Sequence, residues 1–438
     1  MHVRWLRWWT PGMGIKRWVG FSAAGLLAVN GGVSVLTYAL VREVQGVPRS
    51  PLWVVGVVLA IAGGAVSVWG ARRLVGAIAR ALHPAPPRLL DAFYRNRVRK
   101  GPRIVAIGGG TGLATLLRGL KHFSDNITAV VAMTDNGGSS GRLRAELGVL
   151  PPGDLRHCLT ALADEEELLT RLFGYRFQGE EGLGGHSFGN LFLTAMADLT
   201  GDLDQAIKAS SRVLAVRGQV LPATLDPIDL VARFEDGELV RGESEIAAHR
   251  GRILEVSCDP ASPRALPEAV RAIREADLVL LGPGSLYTSL APNLLIPEIR
   301  DAIRESAAHR LFVCNVMTQP GETDGFSASD HLRVLQQLGG SDLVHAMLLN
   351  ESIPVDGLDR YAAVGQHPVE LDLQACENLG VKVHLAPLLA EEAYVRHDPA
   401  RLARAVAESF TSARPREGRR LVAFERPGMP GPLFREAP

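Results

Sequence analysis

Two long apolar runs open the chain. Val19–Val41 and Leu52–Ala71 contain no Asp, Glu, Lys or Arg. At a helical rise of about 1.5 Å per residue, each is long enough to cross a bilayer core. The short stretch Arg42–Pro51 between them forces a hairpin. Residues 72–102 are basic and punctuated by Pro84, Pro86 and Pro87, which reads as a juxtamembrane linker with room for one short helix. From 103 to about 410 the pattern changes. Short β-rich runs at Ile104–Ile107, Ala129–Met133, Leu278–Leu281 and Leu311–Val316 alternate with helical spacing at Leu113–Phe123 and Ile296–Ala308. That alternation predicts an α/β fold with a mainly parallel sheet covered on both faces. Glu165–Phe177, Asn190–Ala197 and Asp204–Leu214 predict a helical subdomain, and Asp229–Ser244 reads as polar β structure. The tail 411–438 is rich in Pro, Gly and Arg, lacks apolar periodicity and is expected to be loose.

The chain has 438 residues, with Lys+Arg and Asp+Glu equal at 47 each, so no basic excess argues for nucleic acid. Local charge says more. Arg4, Arg7, Lys16 and Arg17 precede the first apolar run. Arg72, Arg73, Arg80, Arg88, Arg95, Arg97, Arg99 and Lys100 follow the second, and the loop between holds only Arg42 and Arg49 against Glu43. The positive-inside rule then places both termini and the globular part in the cytoplasm of a multi-pass membrane protein. Trp5, Trp8, Trp9 and Trp18 suit an interfacial aromatic belt. A cleaved signal peptide would explain neither the second run nor the basic flank behind it. Cys158, Cys258, Cys314 and Cys376 are far apart and form no CxxC pair, so neither a zinc knuckle nor a disulfide framework is indicated.

Chemistry concentrates at strand ends. Gly108, Gly109, Gly110 and Gly112 follow the first strand and open a helix, with Thr111 as a hydroxyl donor or cap. Free N–H groups and the partial positive charge of a helix start suit phosphate. The spacing is not GxGxxG, because Leu113 stands where the last glycine belongs, and no GK[ST] follows. Asp135, just past the second strand, sits where an acid reaches ribose hydroxyls, and Asn136 beside it donates and accepts. Alternatively, Asp135 only caps the next turn. Gly137, Gly138, Ser139, Ser140, Gly141 and Arg142 form a second turn able to act as an anion nest.

Asp154 and Arg156 fall at a further helix start, and His186 and Asn190 lie on an approach loop within ligand reach. Gly284, Ser285, Tyr287 and Thr288 follow another strand, with Tyr287 offering a ring face for stacking. Asn315–Gln319 and Gly321–Thr323 close the set. No HExxH, clustered His/Cys set or GxSxG elbow is present. Asp135, Asp154 and Glu322 offer hard oxygen ligands for Mg²⁺, but they are scattered, so no metal is assigned.

The runs IGGGTGLATLLRGLK, TDNGGSSGRLRAELGVLPPGDLRHCLTALAD, GHSFGNLFL, VLAVRGQVLPAT, LGPGSLYTSLAPNLL, NVMTQPGETDG and RHDPARLA occur in this order over about residues 102–405. Together they resemble the gluconeogenesis factor (YvcK-like) family, within the superfamily of 2-phospho-L-lactate transferases (CofD-like). The resemblance implies a Rossmann-like, doubly wound fold, here preceded by a transmembrane hairpin. It also implies a UDP-sugar ligand, UDP-N-acetylglucosamine above all, with no required cofactor. The implied role is a regulator, through a protein partner in the cell-wall precursor pathway, of carbon metabolism, peptidoglycan synthesis and cell shape. Assembly of identical copies is left open.

Carried over by motif, Gly109, Gly110, Thr111, Gly112 and the Gly137–Arg142 loop are implied to contact phosphate and sugar. Gly284, Ser285, Tyr287 and Thr288 are implied to add nucleotide-sugar contacts, with Arg217 nearby. Thr318 and Thr323 occupy a threonine-bearing motif suited to kinase regulation. Two departures stand out: Asn136 replaces the second of the family's paired aspartates, and His157 stands where asparagine is usual. Losing one carboxylate weakens the alternative reading, a transferase moving a phosphoryl-containing group from a nucleoside diphosphate donor.

Overall fold

The computed structural model describes residues 15–45, 51–82, 101–179, 182–352, 358–390 and 395–413. They form two units, an N-terminal helical hairpin and a globular α/β unit. Trp5, Trp8, Trp9, most of the basic linker and nearly all of the tail lie outside the described residues.

The hairpin pairs α1 (Ile15–Val44) with α2 (Leu52–Leu82). Within them, Trp18–Val44 and Leu52–Val75 are long and apolar enough to cross a membrane. Helix α2 continues past the expected end at Ala71. Residues 72–82 are mostly Ala, Arg, Leu, Val and Ile, and the first proline is Pro84. The contact between the helices is built on glycines seven residues apart, Gly25 and Gly32 in α1 and Gly56, Gly63 and Gly70 in α2. A β-carbon at Gly32 would lie 2.6 Å from the Ala60 amide nitrogen, and one at Gly63 would lie 2.7 Å from the Gly25 carbonyl oxygen. Backbone therefore packs on backbone, the mode favoured where no hydrophobic effect drives helices together. At one end Trp18 and Trp69 meet edge-on at 5.1 Å, with the Arg73 guanidinium over both rings.

The globular unit is built on a seven-stranded sheet in the order β10-β9-β8-β7-β1-β2-β3. The strands are β1 (Ile104–Gly108), β2 (Ile127–Val131), β3 (Gln219–Pro222), β7 (Leu278–Leu281), β8 (His309–Val313), β9 (Ala346–Asn350) and β10 (Lys382–Ala386). All adjacent pairs are parallel. Alternate residues enter opposite cores: Val105 and Ile107 face one, Ile104 and Ala106 the other. Helices cover both, which is the doubly wound arrangement. The expected strands at Ala129–Met133 and Leu311–Val316 begin and end two or three residues earlier. The register of Gly108 against Val131 ends β2 there, and Ala132 and Met133 stay buried in the loop beyond it.

Helices α3 (Gly110–Leu120), α4 (Gly138–Leu147), α5 (Gly153–Leu162), α6 (Glu166–Gly174), α7 (Phe188–Thr200) and α8 (Leu203–Val213) fill the segment between β1 and β3. The polar stretch after β3 becomes an antiparallel sheet in the order β5-β4-β6, formed by β4 (Asp229–Phe234), β5 (Leu239–Arg241) and β6 (Ile253–Asp259). A short helix, α9 (Glu243–Ala248), lies between β5 and β6.

Candidate functional site

The strand order reverses direction between β1 and β7, and in a doubly wound sheet this switch point, outside the carboxyl ends of the strands, is where a ligand crevice is expected. Gly108–Gly112 leaves β1 and Gly282–Ser285 leaves β7. The loops touch: a β-carbon at Gly112 would lie 2.7 Å from the Pro283 carbonyl oxygen. Gly110 needs its glycine for another reason, a φ of +64°. Beyond β8, Asn315 brackets the second loop. Its Oδ1 accepts from the Gly284 amide at 3.1 Å, and its Nδ2 donates to the Gly284 carbonyl at 2.8 Å. Gln319 Nε2 donates to Ser285 Oγ at 2.6 Å.

Three helix starts converge on this point. A β-carbon at Gly109 would collide with Asp154 Oδ2 on α5, and one at Gly153 would lie 2.5 Å from Asp135 Oδ2 and 2.6 Å from Ser140 Oγ on α4. The N-caps of α3, α4 and α5 are Gly109, Gly137 and Pro152, and none supplies a capping side chain. By contrast, Ser187 caps α7 and Asp202 caps α8. Uncapped first-turn amides leave donors for an anion at the crevice.

The floor is acidic. Asp135 Oδ1 accepts from the Gly137 amide at 3.0 Å, and burial raises its pKa against that bond. Asp154 adjoins it. Thr134 Oγ1 contacts both Glu243 Oε2 at 3.1 Å and the Thr288 carbonyl at 3.3 Å, and Thr288 Oγ1 donates to Glu322 Oε1 at 3.1 Å. Burial, and then the charges of Asp154 and Asp135, push Glu243 up to about 9. Burial raises Glu322 as well. The structure thus gathers Asp135, Asp154 and Glu322, which are scattered in sequence, and adds Glu243, which the sequence reading missed. Such carboxylates suit Mg²⁺ by donor type. Yet among the described residues only Asp236, Glu238 and His249, on the exposed β4–β5 turn and the end of α9, place three ligand atoms within 4.8 Å of one another.

Other expected site residues are placed differently. Gly109, Gly110, Thr111, Gly112, Gly284 and Ser285 lie in the two loops at the switch point, and Asp135 and Gly137 adjoin the start of α5 there. Ser139 Oγ meets His186 Nδ1 at 3.0 Å, and Asn190 Nδ2 donates to Ser139 and Ser140 at 3.1 and 3.2 Å. These side chains tie α4 to α7 in a buried network, with His186 pushed down in pKa by burial and then by Arg142. Gly141 packs its Cα face against the Asn136 carbonyl, and Arg142 Nη2 donates to the Gly184 carbonyl at 2.8 Å. Gly138, with φ +46°, starts α4 in the open.

Tyr287 does not present a stacking face. It is 5% exposed, lies in a π-helical turn, packs near Phe326 and has its pKa raised to about 12 by burial. Arg217 lies at the opposite, amino end of the strands, just before β3, and pairs with Asp164 at 2.6 Å. Thr318 and Thr323 are 1% and 0% exposed. Their hydroxyls accept from the His367 and Gln319 amides, so this conformation presents neither to a modifying enzyme.

The doubly wound sheet with two glycine loops meeting at its switch point is that of an α/β protein, and residues 104–389 match the family described as 2-phospho-L-lactate transferase CofD. Closer relatives narrow this. A putative gluconeogenesis factor from Nostoc sp. is 50% identical over 94% of this chain and 93% of its own length. The gluconeogenesis factor of Bacillus subtilis is 45% identical over 69% of this chain and 96% of its own. A crystal structure of a Bacillus halodurans protein, 45% identical, covers 70% of this chain and 100% of that one with a TM-score of 0.69. The chain belongs to the gluconeogenesis factor family. The Nostoc match is too long to be confined to the globular unit, so it extends into the N-terminal region, whereas the Bacillus matches correspond in extent to that unit alone.

Proposed function

We propose that the protein is a membrane-tethered cytosolic regulator that binds a UDP-sugar, UDP-N-acetylglucosamine above all, at the β1–β7 crevice. In this reading it links carbon metabolism to peptidoglycan synthesis and cell shape. One observation carries the reading: the start of α5 meets the uncapped starts of α3 and α4 beside two glycine loops too close-packed to accept side chains. Backbone amides there suit a diphosphate, and the half-buried Asp135 suits a ribose hydroxyl. The two apolar helices and the basic residues flanking them support insertion with the crevice on the cytoplasmic side. Isothermal titration of the full-length protein in detergent against UDP-N-acetylglucosamine, GDP and NAD tests the ligand. Saturation at about 100 times Kd adds about 2.7 kcal/mol of stability. Absence of heat and of thermal shift with every UDP-sugar ends this reading. Retention after alkaline carbonate washing tests the tether.

A second reading is a transferase acting on a nucleoside diphosphate compound, with Asp135 and Asp154, which adjoin the glycine loops, as its candidate carboxylates. Metal-dependent consumption of the nucleotide, abolished by Asp135→Ala, is its signature.

A further inference from the structure

Glu243 reaches the crevice from the small antiparallel sheet, at the start of α9. This helix is fastened to its own sheet: the Gly242 amide donates to the Leu230 carbonyl at 2.8 Å, Ile246 is fully buried, and the His249 ring lies 4.1 Å from that of Phe234. It is also fastened to the crevice on two sides. Asn136 Oδ1 accepts from the Ser244 amide at 2.9 Å, and its Nδ2 donates to Glu245 Oε2 at 2.7 Å. On the far side, a β-carbon at Gly321 would lie 2.6 Å from the Ala247 carbonyl oxygen, so the loop carrying Glu322 abuts α9 directly. Both polar ends of Asn136 are thus engaged within the protein. An aspartate there would accept from Ser244 but repel Glu245.

We propose that Asn136 is a positioning residue that latches α9 onto the crevice, seating Glu243 against the floor and coupling nucleotide-sugar binding to the docking of the small sheet. The proposal rests on the ligand reading above. If the ligand touches the floor that Glu243 completes, it binds the latched form better and favours it over the unlatched one. The small sheet then reports occupancy to the rest of the molecule.

The experiment compares wild type, Asn136→Asp, Glu245→Ala and the double variant Asn136→Asp/Glu245→Gln as full-length proteins, by amide hydrogen exchange and UDP-N-acetylglucosamine titration. Asn136→Asp is expected to speed exchange over 243–259 in the free protein and to weaken the sugar nucleotide roughly tenfold, the scale of one charge-assisted hydrogen bond. Glu245→Ala should do the same more mildly. The double variant restores a donor facing an acceptor, and both readouts should return towards wild type. Faster exchange with unchanged affinity would overturn the coupling. Unchanged exchange would overturn the latch itself. If wild type binds no UDP-sugar, the ligand reading fails, while the exchange comparison still decides whether the latch exists.

Discussion

Gly112 and Pro283 are in contact across the switch point: a β-carbon on the first would sit 2.7 Å from the carbonyl oxygen of the second. The obstacle is backbone, which cannot swing aside like a flexible side chain. Gly112→Ala is therefore expected to push β1 and β7 loops apart. The cost should be about 1–3 kcal/mol, as for other overpacked sites. Thermal unfolding measures it, and ligand affinity should fall alongside.

Glu243 carries a carboxyl whose folded pKa, about 9, lies above its ordinary 4.5. A raised acid disfavours folding once the unfolded chain ionises, so its contribution becomes increasingly unfavourable as pH rises from 4.5 to 9. Glu243→Gln keeps the shape without the charge. It should leave stability nearly unchanged near pH 4 and raise it at pH 8, by up to about 5 kcal/mol at roughly 1.36 kcal/mol per pH unit above 4.5. Urea titrations at the two pH values read the difference, and equal gains at both would contradict the assignment.

Three histidines sit on neighbouring strands of the main sheet or at their amino ends. His309 begins β8, His345 precedes β9 and His384 lies in β10, with the first two rings stacked at 5.9 Å. Burial, then the charges of His345, His384, Lys382 and Arg310, lowers His309 to about 4, and burial lowers the other two. A base with a depressed folded pKa favours the folded state fully above its unfolded value near 6.5 and loses that contribution as pH falls towards 4. Stability should therefore decline over that window. In His309→Asn the decline should be shallower, as guanidinium melts at pH 7, 6, 5 and 4 would reveal.

In the hairpin, Gly32 is pressed against α2, with 2.6 Å from a β-carbon to the Ala60 nitrogen. Gly32→Leu should separate the helices. Gly31→Leu is the control, since nothing lies within 4 Å of its β-carbon position. Cross-linking of cysteines introduced at Ser22 and Ser67, residues that already meet across the contact through the Ser22 hydroxyl and the Ser67 carbonyl, should fall in the first variant and persist in the second.

The sequence exposed some of this better than the rest. Glycine after a buried strand and before a helix is a local pattern, so both loops and the first Asp were legible. Glu243 was not, because its hydrogen-bond neighbour Thr134 lies 109 residues away in sequence and only the folded chain brings the two together. Tyr287 read as a ring face for stacking because GPGSLYT follows a strand, whereas a π-helical turn buries its ring in the core. Arg217 was misjudged in position because sequence shows a strand but not which end faces the crevice. His186 and Asn190 were legible as polar residues beside a helix start, but their burial depends on α4 packing against α7.

The central place of β1 sets an order of events in biosynthesis. A nascent chain emerges with Gly108–Gly112 early, yet the loop it must meet, Gly282–Ser285, follows after β2, β3 and the whole small sheet. Until β7 is made, one edge of β1 has no partner and no two-sided crevice exists. Such late, distant pairing slows folding and leaves strands exposed in the meantime. A ribosome stalled before β7 would hold a chain that no crevice ligand can stabilise, so abundant ligand should protect finished molecules and leave incomplete ones to proteolysis.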